Sequence, residues 1–168
     1  KLGYCQIEPN RLTAQKTREV FAQLPMDSSI TALENGMGLV YNQVAGKVTL
    51  PATKGARVGV MMNEILLEDE RNDSDRYFYL KNQAADNYQT AHNGYPRVYG
   101  LHIGDTFTTN CVKLEAGTCA VGDDFCADTD GYWAPIGAAT AAVKLEVIDK
   151  AATLPDGQAA VKFVVTEA

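Results

Sequence analysis

From residue 30 onward, short apolar runs rich in β-branched and aromatic residues alternate with turn-forming residues. Runs of this kind, bounded by Gly, Pro, Asn and Asp, are typical of short β-strands. Because no long helical pattern separates them, a mainly β barrel or sandwich is favoured over an α/β sheet. The predicted strands cover residues 38–41, 47–50, 58–62, 77–80, 97–101, 106–109, 143–148 and 159–165.

Two turn signals add detail to this pattern. Residues 154–157 read Leu-Pro-Asp-Gly, a strong tight-turn sequence, which predicts a terminal hairpin between the last two strands. Gly104 and Asp105 lie between two other predicted strands, and we expect a barrel corner there, with Gly104 at positive φ and Asp105 satisfying turn amides. Residues 68–76 are highly charged and are predicted to form an exposed loop.

The first 29 residues have a different pattern. Residues 11–24 have a loose helical periodicity, which predicts either a short helix or an extension lying across a neighbouring subunit. Apolar residues that cannot complete a core alone need a partner inside or outside the chain. We therefore divide the chain into an N-terminal arm, residues 1–29, and a β-barrel-like domain of short antiparallel strands, residues 30–168. Deletion of residues 1–24 is expected to leave a folded domain that no longer attaches to its partner.

Composition narrows the classes of partner. The 168 residues are 46% hydrophobic and 21% charged, which predicts a folded chain. No apolar run approaches the length of a membrane span, so we expect a soluble protein without a membrane partner. A net charge of −6 argues against nucleic acid as a partner, because neutralising phosphates requires clustered Lys and Arg.

The charge is unevenly distributed. Residues 1–57 carry a balance of +3, and the remainder carries −9. This asymmetry would let the amino-terminal third meet an acidic partner while the rest faces water. The alternative is that the charges have simply fallen unevenly along the chain.

Cysteine and serine chemistry gives little sign of catalysis. Cys111, Cys119 and Cys126 are separated by seven and six residues, which does not fit ordinary zinc ligation. Buried or free thiols are the favoured interpretation, while a disulfide within residues 111–126, or one between subunits through Cys5, stays open. None of the three serines lies in a nucleophile-elbow sequence.

A cysteine–histidine catalytic site and a calcium loop are both less favoured than structural roles for the same residues. A cysteine nucleophile would need His92 or His102 beside it in space, which is less favoured than a buried thiol. The acidic residues 123–131 resemble a calcium loop, but Cys126 would occupy the first ligand position and Gly137 the closing glutamate position. A solvated turn whose Asp side chains cap local amides is favoured. We therefore predict no catalytic residue, no cofactor and no metal site.

Five sequence stretches carry a family resemblance. They are GLVY at 38–41, GKVTLP at 46–51, GARVGVMMNE at 55–64, YPRVY at 95–99 and GDTFTTN at 104–110. Across residues 36–110 the chain resembles capsid-associated structural proteins of tailed bacteriophages. The resemblance implies a β-barrel or β-tulip-like decoration (cement) protein that lies on the outer capsid surface of the virion, made in the host cytoplasm, and that joins neighbouring coat subunits.

The resemblance also implies the partners, which are the major capsid protein and copies of the chain itself in a homo-oligomer. We expect the amino-terminal residues to carry the contact, cations for charge complementarity and apolar side chains for burial. The alternative is that these residues pack on their own domain. The candidates are Arg11, Lys16 and Arg18 for charge and Leu12, Phe21 and Leu24 for burial.

Two other functions stay open. A tail-tube or head-completion subunit would also be rich in strands and would assemble with copies of itself. A carbohydrate-binding β module could use Trp133, together with Tyr132, Tyr95 or Tyr99, as a stacking platform.

Overall fold

The computed structural model describes residues 5–31, 33–63, 94–114 and 118–168, and the backbone of residues 68–72 and 75–79. Thirteen short strands and one short helix make up these residues. In chain order they are β1 (Ile7–Arg11), α1 (Thr13–Thr17), β2 (Val20–Phe21), β3 (Gly38–Asn42), β4 (Lys47–Thr49), β5 (Gly59–Met61), β6 (Glu68–Asn72), β7 (Asp75–Tyr79), β8 (Val98–Tyr99), β9 (Thr106–Thr109), β10 (Asp124–Ala127), β11 (Trp133–Pro135), β12 (Lys144–Thr153) and β13 (Ala159–Glu167).

Two antiparallel sheets dominate the fold. One has six strands in the order β1-β9-β13-β12-β10-β11, and the other has five in the order β2-β8-β5-β3-β4. The mainly β class predicted from the sequence is therefore confirmed. Among the described residues the two sheets do not close into a barrel but share one core, so only the barrel form of the prediction is modified.

The core follows from alternation along the strands. Every second residue is buried at the start of β12, at Leu145 and Val147, and in β13 from Val161 to Val165, which places one face of the six-stranded sheet inside. Four rings lie on this face, and their centroids are 5.3–5.9 Å apart in tilted pairs. They are Phe107, Phe125, Trp133 and Phe163. The five-stranded sheet contributes Leu39, Val60 and Met61 to the same core.

Both predicted turns are present. The β12–β13 hairpin closes where Leu154 N–H donates to Gln158 O at 2.9 Å and Gly157 has a φ of 85°. Gly104 has a φ of 89°, a conformation that glycine adopts without steric cost. The strands that flank Gly104 belong to different sheets, so this turn carries the chain from one sheet to the other.

The charged stretch predicted as a loop is a hairpin. In the β6–β7 ribbon Glu68 is paired with Tyr79, Glu70 with Tyr77 and Asn72 with Asp75. The loop prediction was wrong because a two-stranded ribbon can form without the apolar alternation of a buried strand. Within the described residues, β6 and β7 pair only with each other. Leu80, the last residue of the predicted strand there, lies outside the described residues.

The described part of the predicted arm is built into the domain. β1 pairs with β9 in the six-stranded sheet, and β2 pairs with β8 in the five-stranded sheet. Between them, α1 is only five residues long, and its Ala14 is fully buried. The chain therefore passes from one sheet to the other along this side of the molecule. Residues 1–4 lie outside the described residues.

None of the helical residues in the described ranges forms a segment long and apolar enough to cross a membrane.

Candidate functional site

The amino-terminal edge, defined here as residues 7–21 of β1, α1 and β2, has a distinctive position. β1 ends the six-stranded sheet and β2 ends the five-stranded sheet. Among the described residues, each of these two strands pairs on one side only. Pro9 within β1 is typical of an edge strand, since proline has no N–H to give to a ladder.

The opposite ends of the two sheets are covered. Residues 25–27 run along β4, where Val48 N–H donates to Pro25 O at 2.8 Å and Asp27 N–H donates to Val48 O at 2.9 Å. Residues 111–113 cover β11 in the same way, since Trp133 N–H donates to Cys111 O and Lys113 N–H to Trp133 O. Among the described strands of the two large sheets, the two end strands without a covering segment, β1 and β2, therefore both lie on the amino-terminal side.

Ion pairing holds one of these covering segments. Lys47 is paired with the Asp27 carboxylate, and Ser29 donates to it from both its backbone N–H and its hydroxyl. The Lys47 hydrogen bond, followed by those of Ser29, holds the pKa of Asp27 well below its usual range. The carboxylate thus fixes the turn that protects β4.

The residues predicted to bind a partner divide into two groups. Arg11, Lys16 and Arg18 are exposed on the amino-terminal edge. Leu12 is only 2% exposed and lies in the core of its own chain, so it is corrected from a partner contact to a core residue. Phe21 and Leu24 are half-buried, and Leu24 packs against the same core.

A buried carboxylate anchors α1. Leu12 at the helix start supplies no capping side chain, and Asp105 takes that role from a distant turn. Its Oδ1 accepts hydrogen bonds from Thr13 N–H at 2.8 Å and from the Thr13 hydroxyl at 2.6 Å, while its Oδ2 accepts from His102 N–H at 3.0 Å. Asp105 therefore satisfies both its own turn, as predicted, and an orphan amide of the helix.

The C-terminal end of α1 is also held in place by specific contacts. Arg18 takes the left-handed conformation, with a φ of 61°, and ends the helix. Glu19 follows, and its carboxylate lies 2.8 Å from His102 Nε2. The backbone N–H of Gly100 donates to Glu19 O at 3.1 Å, which attaches this turn to the residue that follows β8. The exposed cations thus stand on a rigid support.

A cleft lies beside β2. Its volume is about 360 Å³, and residues of β2, β3, β5 and β8 line it. Phe21 and Tyr41 form an aromatic pair in its wall, with ring centroids 5.0 Å apart. Glu19 and Arg57 add the charged groups, and Val40 adds apolar surface.

The acidic residues 123–131 are part strand and part turn: Asp124–Ala127 is β10, and the predicted turn forms at residues 128–131, where Gly131 N–H donates to Asp128 O at 2.9 Å. Lys113 Nζ lies 2.8 Å from Asp128 Oδ2 and 2.6 Å from Asp130 Oδ2. Asp123 caps Ala120 N–H at 2.7 Å. Within the described residues, no group of three or more His, Cys, Asp or Glu side chains is arranged to hold a metal ion. These carboxylates act as turn caps and as partners for lysine.

The Lys113 bridge gives a prediction about acid stability. The hydrogen bond from Lys113 lowers the pKa of Asp128, so its contribution is present above the unfolded-state pKa and is lost as pH falls through the folded-state value. Lys113→Met should lower the free energy of unfolding by about 1 kcal/mol at pH 7. The difference should shrink below about pH 3, where Asp becomes protonated. Urea unfolding at both pH values tests this, with Lys150→Met as the exposed control; an equal loss at both pH values would contradict it.

The remaining candidates for chemistry are structural. Cys5, Cys111 and Cys126 are buried, and Cys119 is half-buried. Burial raises the pKa of the Cys126 and Cys119 thiols, which disfavours the reactive thiolate. His92 lies outside the described residues.

Trp133 cannot serve as a stacking platform. It is fully buried, and its indole Nε1–H donates to Gly36 O at 2.7 Å. The predicted carbohydrate platform thus loses its central ring. The half-buried aromatic pair of the cleft, Phe21 with Tyr41, was not anticipated from the sequence, because these residues are twenty positions apart and meet only in the folded chain.

Comparisons with known protein families, with curated proteins and with solved structures found no match to this chain.

Proposed function

We propose that the protein is a virion structural subunit that decorates the outer surface of a tailed-phage capsid and stabilises the shell by bridging coat subunits. The observation that carries the proposal is the amino-terminal edge. In the described part of the chain both sheets end there in a strand that pairs on one side only, and three exposed cations lie on or next to the helix that links these strands. Such an edge suits contact with another protein.

The coat contact is assigned to the β1–α1 part of this edge. Arg11 at the end of β1, Lys16 in α1 and Arg18 at the helix end are exposed there, and buried Asp105 fixes the start of the helix. A preorganised surface loses little conformational entropy when it binds. The complementary coat surface is expected to be acidic, since the first third of the chain carries a net positive charge.

Shell stabilisation follows from bridging. A module that contacts two coat subunits adds buried surface that must be exposed again before the shell opens. Binding at the second subunit is effectively intramolecular once the first is held, so modest contacts give tight attachment. The sequence resemblance to capsid-associated proteins supports the same role.

A charge-reversal experiment tests the proposal. Arg11→Glu together with Lys16→Glu should weaken binding to empty expanded shells of the parent phage's major capsid protein about tenfold or more, because like charges would face each other. Co-sedimentation over a concentration series measures the affinity. Lys150→Glu reverses one exposed charge outside the amino-terminal edge and should bind within about twofold of wild type.

Three outcomes would count against the proposal. The edge variant could bind like its control, the wild-type protein could fail to bind shells, or it could form tubes or rings without any coat protein. The last outcome would favour a tail-tube or head-completion subunit. Electron microscopy of the parent particle gives the location and stoichiometry directly.

A further inference from the structure

The cleft beside β2 lies on the concave face of a curled sheet. β2 and β3 are separated by β8 and β5 in the strand order, so a flat sheet would hold these two strands about 14 Å apart. The rings of Phe21 and Tyr41 nevertheless have centroids only 5.0 Å apart, so the sheet must curl to bring them together. The strand register places the residues of this face in a row across the sheet, and all of them line the cleft: Phe21, Val98, Gly59 and Tyr41. Gly59 supplies no side chain, which leaves the middle of the face open.

The apolar lining of the cleft is fixed before anything binds. Val98, Leu101 and Val143 form part of this lining and belong to the buried core. The Tyr41 ring is held from outside the sheet, because Gln23 N–H donates to its hydroxyl at 3.3 Å. Small-molecule sites are typically largely preformed and mostly apolar, with a few polar groups that orient the ligand. The rings and the aliphatic lining therefore suit the flat body of an aromatic ligand.

Two charged side chains line the cleft, and only one of them is available. Glu19 has a carboxylate oxygen 2.8 Å from His102 Nε2, so this acid already has a partner. Arg57 is exposed and forms no ion pair with any residue in the described part of the chain. A guanidinium matches the geometry of a carboxylate and can donate two parallel hydrogen bonds to it. The charge that a ligand should bring to this cleft is therefore negative.

We propose that the cleft is a binding site for a small aromatic carboxylic acid, with the ring of the ligand against Phe21 and Tyr41 and its carboxylate at Arg57. The cleft volume of about 360 Å³ is near the lower end of the range for small-molecule sites, which suits a ligand with one ring. This inference goes beyond the proposed function and does not depend on it, because the coat contact is assigned to the cations of β1 and α1.

A series of probes with one body and different head groups tests the site. Hydrocinnamate, hydrocinnamamide and phenylpropylamine share a phenyl ring and a short chain, and they carry a carboxylate, an amide and an ammonium group. The full chain should bind hydrocinnamate with a dissociation constant on the order of 1 mM, as befits so small a ligand. The amide should bind about fivefold more weakly, and the amine more weakly still. Ligand-observed NMR titration measures each affinity, and shifts of the Gly59 and Gly100 amide signals locate the site.

Substitutions separate the roles of the charge and the ring. Arg57→Met removes the charge at an exposed position, so it should weaken hydrocinnamate about fivefold and leave the amide unchanged. Phe21→Leu keeps an apolar side chain but removes a ring, so it should weaken all three probes about threefold. Lys150→Met changes an exposed charge that does not line the cleft and should bind like wild type. Urea unfolding of each variant verifies that it is folded.

Three results would overturn the inference. Hydrocinnamate could fail to bind at about 10 mM, well above the expected dissociation constant. A folded Arg57→Met protein could bind it as tightly as wild type does. The amine could bind best, which would make Glu19 the group that selects the ligand. Shell binding gives a separate reading, since Arg57→Met leaves the β1–α1 cations intact and should attach to shells like wild type whether or not it binds the probes.

Discussion

Deleting residues 1–24 should leave a protein that cannot fold, not a compact domain lacking only its binding segment. The deletion removes β1 and β2, and it takes Leu12 and Ala14 out of the core. The first of these side chains is 2% exposed and the second is fully buried. Loss of one large buried side chain alone costs about 2–5 kcal/mol, a large part of a typical domain's stability of about 5–15 kcal/mol.

The deletion also exposes polar groups. Asp105 would lose both hydrogen bonds from Thr13 and keep a buried carboxylate. β9 would lose its partner β1, and β8 its partner β2. Unsatisfied buried groups add about 1–3 kcal/mol each to the loss.

The measurement is fluorescence of the single tryptophan, Trp133, during urea unfolding. Wild type should show one cooperative transition, and the deletion should show a solvent-exposed emission spectrum before urea is added. The Arg11→Glu, Lys16→Glu variant is the control, since it changes the same segment but only at exposed positions. A truncated protein with a native-like transition would mean that residues 5–24 contribute little to the core.

Trp133→Ala is expected to reduce the free energy of unfolding by about 4 kcal/mol. The indole is fully buried, packs 5.8 Å from the Phe107 ring and donates to Gly36 O at 2.7 Å. Truncation leaves a cavity between the two sheets and an unpaired carbonyl. Circular dichroism during urea unfolding measures the loss, because this variant has no tryptophan to follow by fluorescence.

Two companion variants divide the Trp133 effect. Trp133→Phe keeps most of the ring but removes the N–H, so it should cost less than Trp133→Ala by about 1–3 kcal/mol. Val121→Ala, at a position 63% exposed, should change stability by no more than about 0.5 kcal/mol. A Trp133→Ala protein as stable as the Val121→Ala protein would show that the core does not depend on the indole.

The sequence was most informative where strands are both apolar and bounded by turn residues. β3, β4, β9 and the β12–β13 hairpin lie where their β-branched runs predicted them. Gly104 and Asp105 were also predicted correctly, because the conformational freedom of glycine and the local hydrogen bonding of aspartate are properties of single residues.

The strands and contacts that the sequence did not predict have a different cause. β10 and β11 are three or four residues long and lie within or just after the acidic stretch, where charge conceals a strand pattern. β1 contains Pro9, which lowers strand propensity although an edge position tolerates it. Leu12 gave no sign that its own chain would bury it, since its surroundings come from residues remote in sequence. The cleft, in which Phe21 packs against Tyr41, likewise forms only when residues distant in sequence come together in the folded chain.

The amino-terminal edge depends on residues far along the chain. Ile7 is paired with Thr109, which is paired in turn with Val161, and α1 is capped by Asp105. Contacts this distant in sequence form slowly, after the intervening loops have closed. An incompletely folded chain therefore presents its amino-terminal cations on no fixed scaffold. Under the proposed function, a shell would then accept only completely folded subunits.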